Sequence, residues 1–154
     1  MKGIKILIAY DGSESSKHAL NQGVSLAKLT DSDVTILSVI PRITMPLLPA
    51  EGAGVSPASI AQTSPEFQQE MKKFYAESLE KAAEGVEEKY PNIDVVTKLM
   101  EGRPSSIIVE ISEEGNYDLI VIGSRGLGGI SGLILGSTSR RVVETCTIPV
   151  LVVK

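Results

Sequence analysis

From end to end the chain alternates short runs of apolar residues with longer segments whose apolar residues recur at helical spacing. That alternation restricts the fold more than any other feature. Ile4 to Tyr10 (IKILIAY) is nearly all apolar and closes at Asp11-Gly12, the pattern of a strand buried on both faces. Ser13 then offers a helix N-cap, with Ser16 where a capping box would have Glu or Gln. Ala19, Leu20, Val24 and Ala27 carry that helix through Leu29. Val34 to Ile40, Asp94 to Met100, Leu119 to Ile122 and Pro149 to Val153 read as four further strands. Between them, the Phe67, Met71, Phe74, Tyr75, Leu79, Ala82, Val86 and Tyr90 stripe predicts one long helix with a core-facing side. Pro104 suits the first turn of a helix that carries Ile107, Ile108 and Ile111 and stops at Gly115-Asn116. A last helix is expected near Ser137 to Thr145. Pro41 to Pro65 holds five prolines and two glycines, which predicts a long flexible loop at about 41–65.

Strands separated by helices need crossover connections, so the sheet is expected to be parallel with helices on both faces. The fold class is α/β: one domain over residues 1–154, a doubly wound five-stranded parallel sheet of order 3-2-1-4-5. Ligands of such sheets lie beyond the carboxyl ends of the strands, where the order reverses. Here that point falls between strands 1 and 4, at Asp11-Gly12-Ser13 and the segment 123–139.

Composition removes several functions. Fifteen Lys and Arg against nineteen Asp and Glu leave a net charge of −4, which argues against nucleic acid as a partner. One cysteine, Cys146, excludes an internal disulfide framework, and one histidine, His18, argues against His-based metal sites and a Ser-His-Asp triad. His18 falls with Gln22 and Ser25 on the polar side of its helix, and Cys146 reads as a small core residue. Glu84, Glu87 and Glu88 read as a solvated face. No run approaches the ~20 apolar residues of a membrane helix, and the N-terminus is not a signal peptide, so a cytoplasmic location is expected.

The chemistry is concentrated in residues 123–139, GSRGLGGISGLILGSTS, where Gly123, Gly126, Gly128, Gly129, Gly132 and Gly136 stand among the first fourteen positions. Glycine lets backbone N–H groups line a concave anion site. Gly136-Ser137-Thr138 precedes a helix whose free N–H groups attract phosphate, and Arg125 adds a cation able to grip a phosphate through two bonds. Single glycines also serve turns and packing, and Asp11 taken alone reads equally as a turn residue. Together, at the switch point, they point to nucleotide phosphate. No Gly-Lys pair exists for a Walker A loop, and the dinucleotide fingerprint fails because Ser131 stands at its third glycine. No aromatic residue is placed near the glycine segment to stack on a flavin ring, which argues against a redox flavin site.

The spacing that remains, Gly123, Gly126 and Gly136-Ser137 as G-x2-G-x9-G-[ST], resembles the ATP-binding motif of the universal stress protein family. The resemblance extends over nearly the whole chain, from Ile4–Ser13 to the closing Pro149–Val153 strand. It implies ATP with Mg²⁺ or Mn²⁺ as cofactor. Backbone near Ala9, Tyr10 and Val39 would meet adenine, and Asp11 would hold ribose or the metal-phosphate side. Gly123, Arg125 and Gly126 would wrap ribose and phosphates, with Ile122 and Ser124 beside them, and Gly136, Ser137 and Thr138 would bind the phosphate tail. It also implies a homodimer through the C-terminal strand. The leading function is an ATP-binding stress-response switch or interaction module with at most weak ATP hydrolysis. A slow Mg-dependent ATPase or phosphotransferase and a non-enzymatic dimeric scaffold are the alternatives.

Overall fold

The structure, a computed structural model, describes residues 3–42, 64–127 and 134–154. Five strands form one sheet: β1 (Lys5–Ala9), β2 (Asp33–Pro41), β3 (Val95–Gly102), β4 (Leu119–Gly123) and β5 (Val150–Val153). Their order is β3-β2-β1-β4-β5 and every pairing is parallel, as the alternation predicts. Among the described residues, four helices lie in the crossovers: α1 (Glu14–Thr30), α2 (Pro65–Lys89), α3 (Pro104–Glu114) and α4 (Ser137–Thr145).

The two-residue period of a strand divides the core into two layers. Ile6 and Ile8 of β1, with Val34, Ile36 and Val121, pack under α1 (Ala19, Leu20, Val24) and α2 (Leu79, Ala83, Val86). Leu7 and Ala9, with Leu37, Val39, Ile120 and Ile122, pack under α3 (Ile108) and α4 (Val142). Ile6, Leu7 and Ile8 have no exposed surface, because β1 is central in the sheet and covered on both sides.

Local boundaries follow from capping and register. Ser13 caps α1 by accepting from the Ser16 N–H at 3.2 Å, and Ser64 caps α2 in the same way through Phe67. Pro65 and Pro104 occupy first-turn positions, where a missing N–H leaves nothing unpaired. Pro41 therefore belongs to β2 and Pro65 to α2, so the expected loop is narrower at both ends. Its remainder, 43–63, lies outside the described residues, as do Gly128, Gly129 and Gly132.

Two expectations need correction. The third strand is longer than its apolar run and mostly exposed, with Val96 at 53%, because it is an edge and its polar Thr97, Lys98 and Glu101 face water. The α2 stripe is not all core: Phe74 is 51% exposed, and burial falls on Tyr75, Leu79, Ala83 and Val86. His18, Gln22 and Ser25 are exposed and Cys146 is half-buried against the second layer.

Candidate functional site

β1 stops at Ala9, paired with Leu37, while β2 runs four residues further. Tyr10 leaves the ladder with its N–H donating to the Leu37 carbonyl at 2.8 Å. By strand alternation Val39 turns its own N–H and C=O to that same side, past the last paired residue of β1. Between this overhang and the end of β4 lies a cavity of about 320 Å³, within the range of small-molecule sites. Ala9, Leu37, Val39, Ile108 and Ile122 form its apolar wall, and Asp11, Arg125, Gly126, Gly136, Ser137 and Thr138 its polar one.

The Asp11 turn is fastened from both sides. Its Oδ1 accepts from the Ser13 N–H at 2.9 Å, and its Oδ2 accepts from the Leu127 N–H at 3.1 Å, which ties the start of α1 to the glycine segment. Gly12 has φ +85°, a left-handed conformation that favours glycine. The segment itself closes at its base. The Ser124 carbonyl accepts from the Gly136 N–H at 2.6 Å and from the Ser139 hydroxyl at 3.0 Å. Val153 of β5 accepts from the Ser124 N–H at 2.7 Å and from the Ser15 hydroxyl at 3.3 Å, and Ser15 Oγ accepts from the Arg125 N–H at 3.3 Å. Gly123 sits so close to α1 that an added Cβ would lie 2.6 Å from Ser15 Oγ and 2.7 Å from its backbone carbon.

The helix starts at this site differ. α4 begins at Gly136 with no side-chain cap and no acidic residue in its first turn. Its leading N–H groups therefore lack side-chain partners beside the cavity that Gly136, Ser137 and Thr138 line. Among the described residues Arg125 makes no ion pair, and its charge borders the same space.

Of the residues singled out in the sequence, Ala9, Tyr10, Asp11, Val39, Ile122, Gly123, Arg125, Gly126, Gly136, Ser137 and Thr138 all line this cavity. Ser124 does not. It is buried and serves the closure of the segment, so its carbonyl and N–H are already engaged. Tyr10 presents no free backbone N–H, and its carbonyl accepts from the Ser38 hydroxyl at 2.6 Å. Sequence reasoning missed Ser16, Leu37, Tyr75, Pro104, Ile108, Leu127 and Ser139 in the lining. Tyr75 corrects the reading that no aromatic residue lies near the glycine segment, since α2 brings it there from fifty residues away in sequence. Burial, and then the nearby Asp11 carboxylate, push the Tyr75 phenol above its ordinary pKa. Leu127 and Ser139 lie within the segment 123–139 already singled out, and Pro104 starts a predicted helix at a strand's carboxyl end, so these three carried a signal that could have found them.

A doubly wound α/β protein with a glycine-built cavity at its switch point is the class that fold and site define. The model of the Universal stress protein family matches residues 4–154, and the chain belongs to that family. It is 34% identical over 150 residues to universal stress protein YxiE of Bacillus subtilis, covering 97% of this chain and 98% of that one. Among solved structures it resembles universal stress protein UspA from Lactobacillus plantarum, with TM-score 0.79 and 21% identity over 100% and 99% of the two chains, a likeness of fold. It is similar as well to the universal stress protein from Archaeoglobus fulgidus in complex with dAMP, with TM-score 0.65 and 22% identity over 100% of both chains.

Proposed function

We propose that the protein binds an adenine nucleotide, ATP with Mg²⁺ or Mn²⁺, in the cavity between β1 and β4, and acts as a nucleotide-dependent regulatory module in stress response. The carrying observation is the uncapped start of α4, which lines the cavity together with Arg125 and a set of apolar side chains. An apolar slot ending in unpaired N–H groups and a cation fits a flat base joined to an anion. The dAMP complex of the Archaeoglobus fulgidus relative supports the ligand class.

In this reading the Val39 peptide edge, Ala9 and Tyr10 meet the base, with Ile122 on the wall. Gly123, Arg125 and Gly126 hold the sugar and first phosphates, and Gly136, Ser137 and Thr138 hold the phosphate tail. The residues present fit the metal as a companion of the nucleotide. Asp11 is the one carboxylate among the described lining residues, and no cluster of three or more His, Cys, Asp or Glu occurs among the described residues. Phosphate oxygens would hold the ion, which would screen their charge.

The reading is of binding, not turnover. Hydrolysis needs a group to orient water, and beyond Asp11 no carboxylate or histidine stands among the described lining residues. A cytoplasmic homodimer joined along β5, the sheet edge beside β4, completes the proposal.

The test is to denature the purified protein and identify any released nucleotide by chromatography and mass, then titrate ATP and Mg²⁺ by calorimetry. A stoichiometric adenine nucleotide is expected. At a hundredfold excess over Kd, ligand should add about 2.7 kcal/mol of stability. A protein that releases nothing and neither binds ATP nor gains stability from it would overturn the reading.

A further inference from the structure

Tyr75 is 9% exposed, comes from α2 and lines the cavity beside Asp11. One contact of the neighbouring turn places it there. The turn after Asp11 packs on α2, since a Cβ added at Gly12 would lie 2.9 Å from Ser78 Oγ. Ser78 is three residues beyond Tyr75 and shares its helix face. Among the described residues no hydrogen bond engages the Tyr75 hydroxyl, yet none of their buried side-chain polar atoms lacks a partner. Tyr75 lines the cavity together with Asp11, whose carboxylate is near enough to act on the phenol. Tyr117 is the contrast: its hydroxyl is spent inside the protein, donating to Thr35 Oγ1 at 2.9 Å.

We propose that Tyr75 is a specificity-determining residue, its phenol and the Asp11 carboxylate forming a donor–acceptor pair that reads a ribose hydroxyl; this rests on the nucleotide-binding reading above. A carboxylate offers about four acceptor positions, and backbone N–H groups take two of them here. A phenol with an ordinary pKa of 10.0 is protonated at neutral pH, so it is a donor there. A group that only accepts, such as a phosphate oxygen, suits the phenol but is repelled by Asp11. A group that only donates, such as an ammonium, leaves the phenol without an acceptor. A hydroxyl accepts from Tyr75 and donates to Asp11 at once. A ligand lacking it leaves both partners desolvated and unpaired.

The experiment measures Kd by calorimetry for ATP, 2′-deoxy-ATP and 3′-deoxy-ATP, on the wild-type protein and on Tyr75→Phe. The wild type should lose about tenfold in affinity when one of the two hydroxyls is removed. Tyr75→Phe should bind ATP about tenfold more weakly and no longer distinguish it from that analogue, while the unliganded Tm stays near the wild-type value. ATP binding without discrimination by the wild type, or full discrimination by Tyr75→Phe, overturns this proposal alone. A wild type that binds none of the three overturns the nucleotide reading and this one with it. Should Tyr75→Phe fail to fold, the wild-type panel decides by itself.

Discussion

α1 and α4 begin at the same end of the sheet and flank the same cavity, yet their first turns are opposites. α1 is satisfied from within: Ser13 caps it, Glu14 complements its dipole, and Asp11 accepts from the Ser13 N–H. α4 starts on glycine, with no cap and no acid. Position at the carboxyl end of a strand is thus common to both helices, and what separates an anion-seeking terminus from an inert one is whether the chain fills it. The arrangement leaves α1 to hold the site together and α4, on the function proposed above, to receive a ligand.

The comparison can be broken at its shared contact. Gly123→Ala forces a Cβ against the Ser15 backbone, so α1 and the glycine segment must move apart; a loss of about 2 kcal/mol is expected in urea unfolding. Making α4 resemble α1 sharpens it. In Gly136→Asp the new Cβ meets the Ser124 carbonyl at an ordinary 3.4 Å, and the carboxylate supplies both cap and negative charge. Stability should rise by a few tenths of a kcal/mol, while ATP affinity falls by about tenfold or more in calorimetry. Unchanged affinity would mean that α4 does not receive the phosphates. The converse change, Ser13→Ala, should cost about 1 kcal/mol of stability and shift ATP affinity less than about twofold. The smallest effect concerns pH. Tyr75 has a folded pKa raised above its ordinary 10.0, so the folded state holds that proton more tightly than the unfolded chain. Its contribution is complete below pH 10.0 and is lost as pH rises through the folded value. Urea midpoints from about pH 9 to about pH 11 should fall less steeply in Tyr75→Phe.

Sheet order and most of the cavity lining were legible because they rest on local signals that the topology then brings together. Short apolar runs mark strands, and the switch point follows from their order, so Asp11, Gly126 and Gly136 could be placed without coordinates. Tyr75 was not legible. Its periodicity shows that it faces inward, but not that the α2 end of that face overhangs a cavity while Leu79 and Val86 join the core layer of Val34 and Ile36. Phe74 fails for a related reason: an apolar residue beside a buried stripe has the same spacing whether or not a neighbour covers it. Ser124 was drawn into the ligand set by its company between Gly123 and Arg125, whereas its peptide groups are consumed in joining the ends of the segment.

The Val153 carbonyl, on the outermost strand, accepts from both Ser124 and Ser15 at the base of that segment. A ¹³C label on that carbonyl sits outside the cavity, two hydrogen bonds from the Arg125 amide. Its chemical shift should therefore register occupancy with no reporter group in the ligand's path, and any partner gripping β5 would speak to the same nucleus.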